Sequence, residues 1–345
     1  MNQADAPVAP APATEAAPPV PTAPPALPVP VGAASAPAIA ARDLTMRYGQ
    51  LLALDRLNLE LEAGDVYGFI GPNGAGKTTT MKILAGLLRP TAGDAYIMGR
   101  QVAGNGQFVR CSVGYMPDTF GVYEDLKVSE YLEFFASAYG IRRGRRKKIV
   151  ADVLDLTDLK YKQDALVDSL SRGMQQRLGL ARVLVHDPPV LLLDEPASGL
   201  DPRARIEIRE LLRELQRLGK TILVSSHILS ELGEFCNKLG IIERGKLLVS
   251  GTIGQLQTLA RAQPVISLRV LEHSEAAAAL LKGDARVAAV ETIDGDLRVT
   301  LHDPGLHHHF LIEKLMAAQL RIDRIAPHDM KLEDVFLRLT KGLVQ

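Results

Sequence analysis

The chain has 345 residues, 47% of them hydrophobic, with 40 Lys and Arg against 40 Asp and Glu and a formal net charge of +0. That length holds one large domain and a smaller one, and the apolar content is ample for their cores. The balanced charge leaves no bulk field to gather nucleic acid or anionic lipid. Two distant cysteines, Cys111 and Cys236, exclude a disulfide framework and fit reduced thiols in a cytosolic protein.

Residues 1–38 read as a disordered Pro/Ala-rich tail. Residues 16–41 carry no charge, but prolines at 18, 19, 21, 24, 25, 28, 30 and 37 interrupt them. A proline inside a helix costs about 3 kcal/mol, and lipid tolerates only backbone that bonds to itself. Neither a signal peptide nor a membrane span is therefore expected there. No other stretch offers 18 consecutive apolar residues.

From Ile39 the pattern becomes globular. Strands are predicted at IAARDLTMRY, LDRLNLEL and DVYGFI (65–70), then a Gly-rich turn and a helix over 77–88. Residues 125–168 read mostly as helix. LSRGMQQRL (170–178) opens another, with Ser171 and Gly173 placed where a helix start can hold an anion. Strand PVLLLDEP (189–196), helix 203–219 and strand TILVSSH (221–227) follow. Apolar strands alternating with helices imply a mainly parallel sheet covered on both faces. After a linker at roughly 252–262, the order becomes strand, helix, strand, strand, helix, strand, helix. That order suggests a small split βαβ, ferredoxin-like unit.

GPNGAGKTT, residues 71–79, matches the phosphate-binding pattern G-x-x-x-x-G-K-[ST]. Gly71, Gly74 and Gly76 let the backbone turn its N–H groups inward around phosphate oxygens. Lys77 brings a point charge to the β and γ phosphates, and the Thr78 hydroxyl can ligate Mg²⁺. Pro72, Asn73, Ala75 and Thr79 complete the loop.

Asp194 emerges at the carboxyl end of an apolar strand, where ligands sit in open α/β sheets. An acid there can hold Mg²⁺, and the adjacent Glu195 can polarise an attacking water as general base. Each alone also reads as a solvated strand end. His227 ends another apolar strand on the same edge, within reach of a γ phosphate.

Together these residues resemble the ATP-binding subunit of ABC transporters, over residues from about 39 to 250. The resemblance implies an α/β P-loop NTPase fold of the ABC type, residues 39–255, with a helical subdomain at about 120–185. A small C-terminal α+β ferredoxin-like domain would occupy 262–345. Asp194 and Glu195 become the Mg²⁺ and base pair, and His227 the switch histidine. Tyr48, in MRYGQ, matches the aromatic that stacks on adenine. LSRGM (170–174) matches the signature motif, so Ser171 and Gly173 would face the γ phosphate held by the opposite subunit. SGLD, ending at Asp201, matches the loop that joins them there. The usual signature is LSGGQ, and here Arg172 and Met174 replace a glycine and the glutamine. Asp118, in GYMPDTFGVY, stands where the family usually has a glutamine that contacts Mg²⁺ and water. A carboxylate can also bind Mg²⁺, but it cannot donate as an amide does.

The implied function is ATP hydrolysis, with ATP and Mg²⁺, powering a membrane exporter through closure of two ATP-binding subunits. The permease would be a separate multi-span polypeptide, the second subunit an identical copy, and the location the cytoplasmic face of the membrane. Nucleic acid is not expected as a partner. The rival is a soluble ABC-type ATPase acting on ribosomes or DNA; one P-loop and no sustained heptads weigh against it. A small-molecule kinase would leave Ser171, Gly173, Asp201 and His227 unexplained. The basic run Arg142, Arg143, Arg145, Arg146, Lys147 and Lys148 suits either a solvated helix start or anionic headgroups. His307, His308 and His309 would point to different faces of a helix and make a poor metal cage. The C-terminal KLEDVFLRLTKG resembles the appendage of ABC subunits that serve small two-gene exporters.

Overall fold

The computed structural model describes residues 36–327 apart from 120, 122, 124, 261–264, 294 and 304–306. Of the expected tail at 1–38, residues 1–35 lie outside those residues, as does the expected last helix at 332–340, while Ala38 is described and buried. In chain order the elements are β1 (Ile39–Tyr48), β2 (Leu51–Leu61), β3 (Val66–Ile70), α1 (Lys77–Leu84), β4 (Ala92–Ile97), β5 (Arg100–Gln101), α2 (Gly106–Ser112), β6 (Val113–Met116), α3 (Val128–Ala138), α4 (Arg143–Leu156), α5 (Arg172–Leu184), β7 (Val190–Asp194) and α6 (Pro202–Arg217). They continue with β8 (Thr221–Ser226), α7 (Leu229–Gly233), β9 (Lys238–Glu243), β10 (Lys246–Thr252), α8 (Ile253–Ala260), β11 (Val265–Val270), α9 (Ser274–Lys282), β12 (Val287–Ile293), β13 (Asp296–Leu301), α10 (His309–Ala317) and β14 (Ile322–Pro327).

The central sheet has the order β10-β9-β3-β8-β7-β6. Its pairs are parallel except β9 with β10. Every residue of β3, β7 and β8 is buried, which is why these strands read as continuous apolar runs rather than alternating ones. Strands β1 and β2 belong instead to a second, antiparallel sheet, β2-β1-β4-β5. One apolar cluster joins that sheet and α1 to one side of the central sheet, through Leu44, Leu54, Met81, Ile83, Leu192 and Leu223. The other side packs on α3 to α6 through residues such as Leu132, Leu154, Leu178, Leu191 and Leu212. Burying each such side chain is worth about 1.5–3 kcal/mol.

Local sequence sets the helix limits. α6 starts where Asp201 accepts a hydrogen bond from Ala204 N at 2.9 Å and Pro202 takes the first helical position. α1 is shorter than expected: it stops at Leu84 because Gly86, at φ 70°, turns the chain left-handed beyond it. The expected helical stretch 125–168 is α3, α4 and two single 3₁₀ turns, Lys160–Lys162 and Val167–Ser169. The basic run forms the start of α4, with Arg142, Arg143, Arg145, Lys147 and Lys148 exposed. The expected linker at 252–262 is largely helix α8. Its start is fixed by a reciprocal pair of bonds: Gln255 N donates to Thr252 Oγ1 at 3.2 Å, and Thr252 N to Gln255 Oε1 at 2.8 Å.

The C-terminal elements form a third sheet, β12-β13-β11-β14, antiparallel throughout. With α9 and α10 this is the strand order of a ferredoxin-like unit. Its own cluster includes Leu268, Leu281, Val299, Leu311 and Leu315.

Candidate functional site

Three buried strands, β3, β7 and β8, end on one edge of the central sheet, and each delivers polar residues there. The loop between β3 and α1 wraps a cleft of about 260 Å³, lined by residues 72–79 with Tyr48, Leu51, Ala53, Asp118 and Glu195. Gly76 sits at φ 110°, and a Cβ there would lie 2.6 Å from Leu54 Cδ2 and 2.9 Å from the Ala53 carbonyl. Only glycine closes this turn, which aims the N-terminus of α1 at the cleft. Lys77, 5% exposed, donates from Nζ to the carbonyls of Gly71 at 2.6 Å and Pro72 at 3.3 Å.

Asp194 closes β7. Its Oδ2 accepts from Thr78 Oγ1 at 2.6 Å and its Oδ1 from Ser225 Oγ at 2.6 Å. The same Ser225 hydroxyl accepts from Glu195 N at 2.9 Å. Successive strand residues face opposite sides; Glu195 escapes that alternation at φ 51°, a left-handed conformation rare outside glycine. Its carboxylate borders the cleft. Oε2 lies 2.9 Å from His227 Nδ1, and Oε1 lies 3.4 Å from Lys77 Nζ. His227, just past β8, is 47% exposed.

Asp118 lines the same cleft. Burial raises its pKa, and the nearby Asp194 and Glu195 push it the same way; Arg172 and His227 oppose them. The cleft is thus an anion-repelling corner opposite a cationic loop, suited to a phosphate chain that brings its own metal. Among the described residues no three His, Cys, Asp or Glu side chains converge to cage a metal alone. The oxygen donors Thr78, Asp194 and Asp118 fit Mg²⁺, which keeps water and phosphate oxygens as its remaining ligands.

Tyr48 ends β1 at the mouth of the cleft with 45% exposure, an open ring face for a base. Ser171, Gly173 and Asp201 do not line it. Ser171 caps α5, accepting from Met174 N at 3.3 Å, as Asp201 caps α6. The sequence reading passed over Ser225, Leu51 and Ala53. Ser225 had one signal: a hydroxyl in a fully buried strand must find a partner.

A family model described as ABC transporter matches residues 54–198. The chain is 37% identical over 303 residues to the Nod factor export ATP-binding protein I of Burkholderia orbicola, covering 87% of this chain and 95% of that protein. It is 35% identical over 307 residues to the bacitracin transport ATP-binding protein BcrA of Bacillus licheniformis, covering 88% and 97%. A solved ATP-binding subunit of an ABC transporter superposes with a TM-score of 0.59 at 29% identity, covering 64% of this chain and 92% of that one. A bacterial ABC transporter cassette solved as a dimer gives 0.57 at 26%, covering 62% and 98%.

Proposed function

This chain belongs to the family of ABC transporter ATP-binding proteins, as an ATPase subunit of a transporter, and from that premise we propose that two copies close on ATP and power export through a separate membrane permease. The observation that carries the reading is the linked set Thr78, Asp194, Ser225, Glu195 and His227 around the P-loop. Within it, the loop amides of residues 72–79 and Lys77 hold the phosphates, and Tyr48 stacks on the adenine. Thr78 and Asp194, with Asp118 beside them, would hold Mg²⁺, which would supply charge neutralisation on the phosphates. Glu195 takes a proton from the attacking water, and His227 holds that carboxylate while facing the γ phosphate.

Ser171, Gly173 and Asp201, outside their own cleft, are assigned to the nucleotide of the second copy. No described helix is long and apolar enough to cross a membrane, which supports assigning the transport path to a multi-span partner, with this subunit docked on its cytoplasmic side. The relatives' names, Nod factor export and bacitracin transport, support export over a role on ribosomes or DNA. Ser171→Arg tests the two-copy reading. It should abolish hydrolysis while leaving ATP binding to a single copy nearly intact; loss of that binding would count against it.

A further inference from the structure

Arg172 replaces a glycine in the signature segment; its side chain is exposed, and its guanidinium folds back over the loop before α6. It lies against Gly199: a Cβ built there would meet Arg172 Cζ at 2.4 Å and its two Nη atoms at 2.5 and 2.6 Å. Gly199 is two residues from Asp201 and carries φ 66°. The next residue of the same segment, Gly173, also packs against α6, its Cβ position 3.1 Å from Ala204 Cβ. Further along, Arg177 Nη2 reaches Glu207 Oε2 at 3.7 Å, joining α5 to α6 again. From α6 itself, Arg205 donates from Nε to the Leu200 carbonyl at 3.0 Å and pairs through Nη1 with Glu231 at 2.9 Å.

We propose that Arg172 is a positioning residue that locks the loop at residues 198–201 to the start of α5 within one subunit. Ser171, Gly173 and Asp201 then form a single rigid edge. This rests on the reading that all three face the nucleotide of a second copy. A glycine at 172 would leave the loop its ties to α6, through Asp201 and Arg205, and remove the guanidinium that the start of α5 lays against Gly199. With Arg172 in place, the contacts from α5 and α6 hold it together, and the edge meets the partner as one piece. The Arg172 charge also lies near enough to Asp118 to favour its ionised form.

The contact predicts a suppressor. In a double-mutant cycle on the full chain, Gly199→Ala displaces the guanidinium from its seat, so kcat should fall severalfold with KM for ATP within twofold. In an Arg172→Gly background the same change should cost measurably less, because the left-handed backbone strain is common to both backgrounds and cancels from the difference between the two losses. Equal losses in the two backgrounds overturn the proposal. A second measurement does not need Gly199→Ala to fold: in Arg172→Gly alone, amide hydrogen exchange at residues 198–200 should speed up at least fivefold while residues 74–79 stay unchanged. Unchanged exchange at 198–200 overturns the proposal. Should Ser171→Arg leave turnover intact, the two-copy reading fails, and the exchange result still judges the contact independently.

Discussion

Thr78 Oγ1 lies 2.6 Å from Asp194 Oδ2, joining residues 116 positions apart into one oxygen pair at the floor of the cleft. The hydroxyl comes from the first turn of α1 and the carboxylate from the end of β7. If these two oxygens hold Mg²⁺, Thr78→Val removes one ligand. The Mg²⁺ concentration for half-maximal hydrolysis should then rise at least tenfold, and EDTA should silence both proteins. An unshifted Mg²⁺ curve would remove Thr78 from the metal site.

Asp118→Gln tests the unusual carboxylate in the same way. Replacing it removes a negative charge crowded by Asp194 and Glu195. Because the folded pKa is raised above its ordinary value of 3.8, ionised Asp118 opposes folding. The opposition is present at neutral pH and vanishes as pH falls to 3.8 and below. The variant should therefore melt higher than wild type at pH 7 and equally near pH 3.8, while needing more Mg²⁺ for turnover. Thermal melts at the two pH values check the sign.

Ser225 is fully buried and holds both acids. Ser225→Ala orphans Glu195 N and one Asp194 oxygen, at a cost of about 1–3 kcal/mol in denaturant-unfolding stability. Turnover should fall more than ATP affinity, since Glu195 loses the bond that supports its left-handed backbone. Equal loss of both would assign Ser225 to nucleotide binding instead.

A stability effect lies away from the cleft at His186. Burial pulls its pKa down to about 4 from 6.5, with Nε2 3.3 Å from the Val113 carbonyl and the ring stacked on Tyr139 at 3.8 Å. The unfolded chain takes up this proton first as pH falls, so stability is full above pH 6.5 and drains away toward pH 4, by about 3 kcal/mol. His186→Phe keeps the stack and should flatten that part of the stability–pH curve. A slope equal to wild type would place the acid sensitivity elsewhere.

The P-loop was legible because its mechanism needs contiguous residues, and Asp194, Glu195 and His227 because buried strands announce where they end. Ser225 was not, since its role depends on which strands pair. Asp194 and Ser225 are direct register partners across β7 and β8, a relation no single stretch displays. Arg172 and Gly199 were hidden for the same reason, 27 positions apart. Helix α8 was different: Thr252 and Gln255 already spelled its capping box within the stretch read as linker. Ser171 and Asp201 read as partner contacts, while their capping of α5 and α6 came from the structure. The structure shows the caps in place, and a cap is compatible with a hydroxyl or carboxylate on an exposed rim.

Sedimentation of the Glu195→Gln chain with and without ATP tests the proposed cycle most directly. Removing the base while keeping the shape should leave the nucleotide bound and unhydrolysed. The chain should then sediment as a two-copy species with ATP and as a single copy without it, with turnover at least a hundredfold below wild type. A chain that stays single at saturating ATP, or that hydrolyses at the wild-type rate, would contradict both the closure of two copies and the assignment of Glu195.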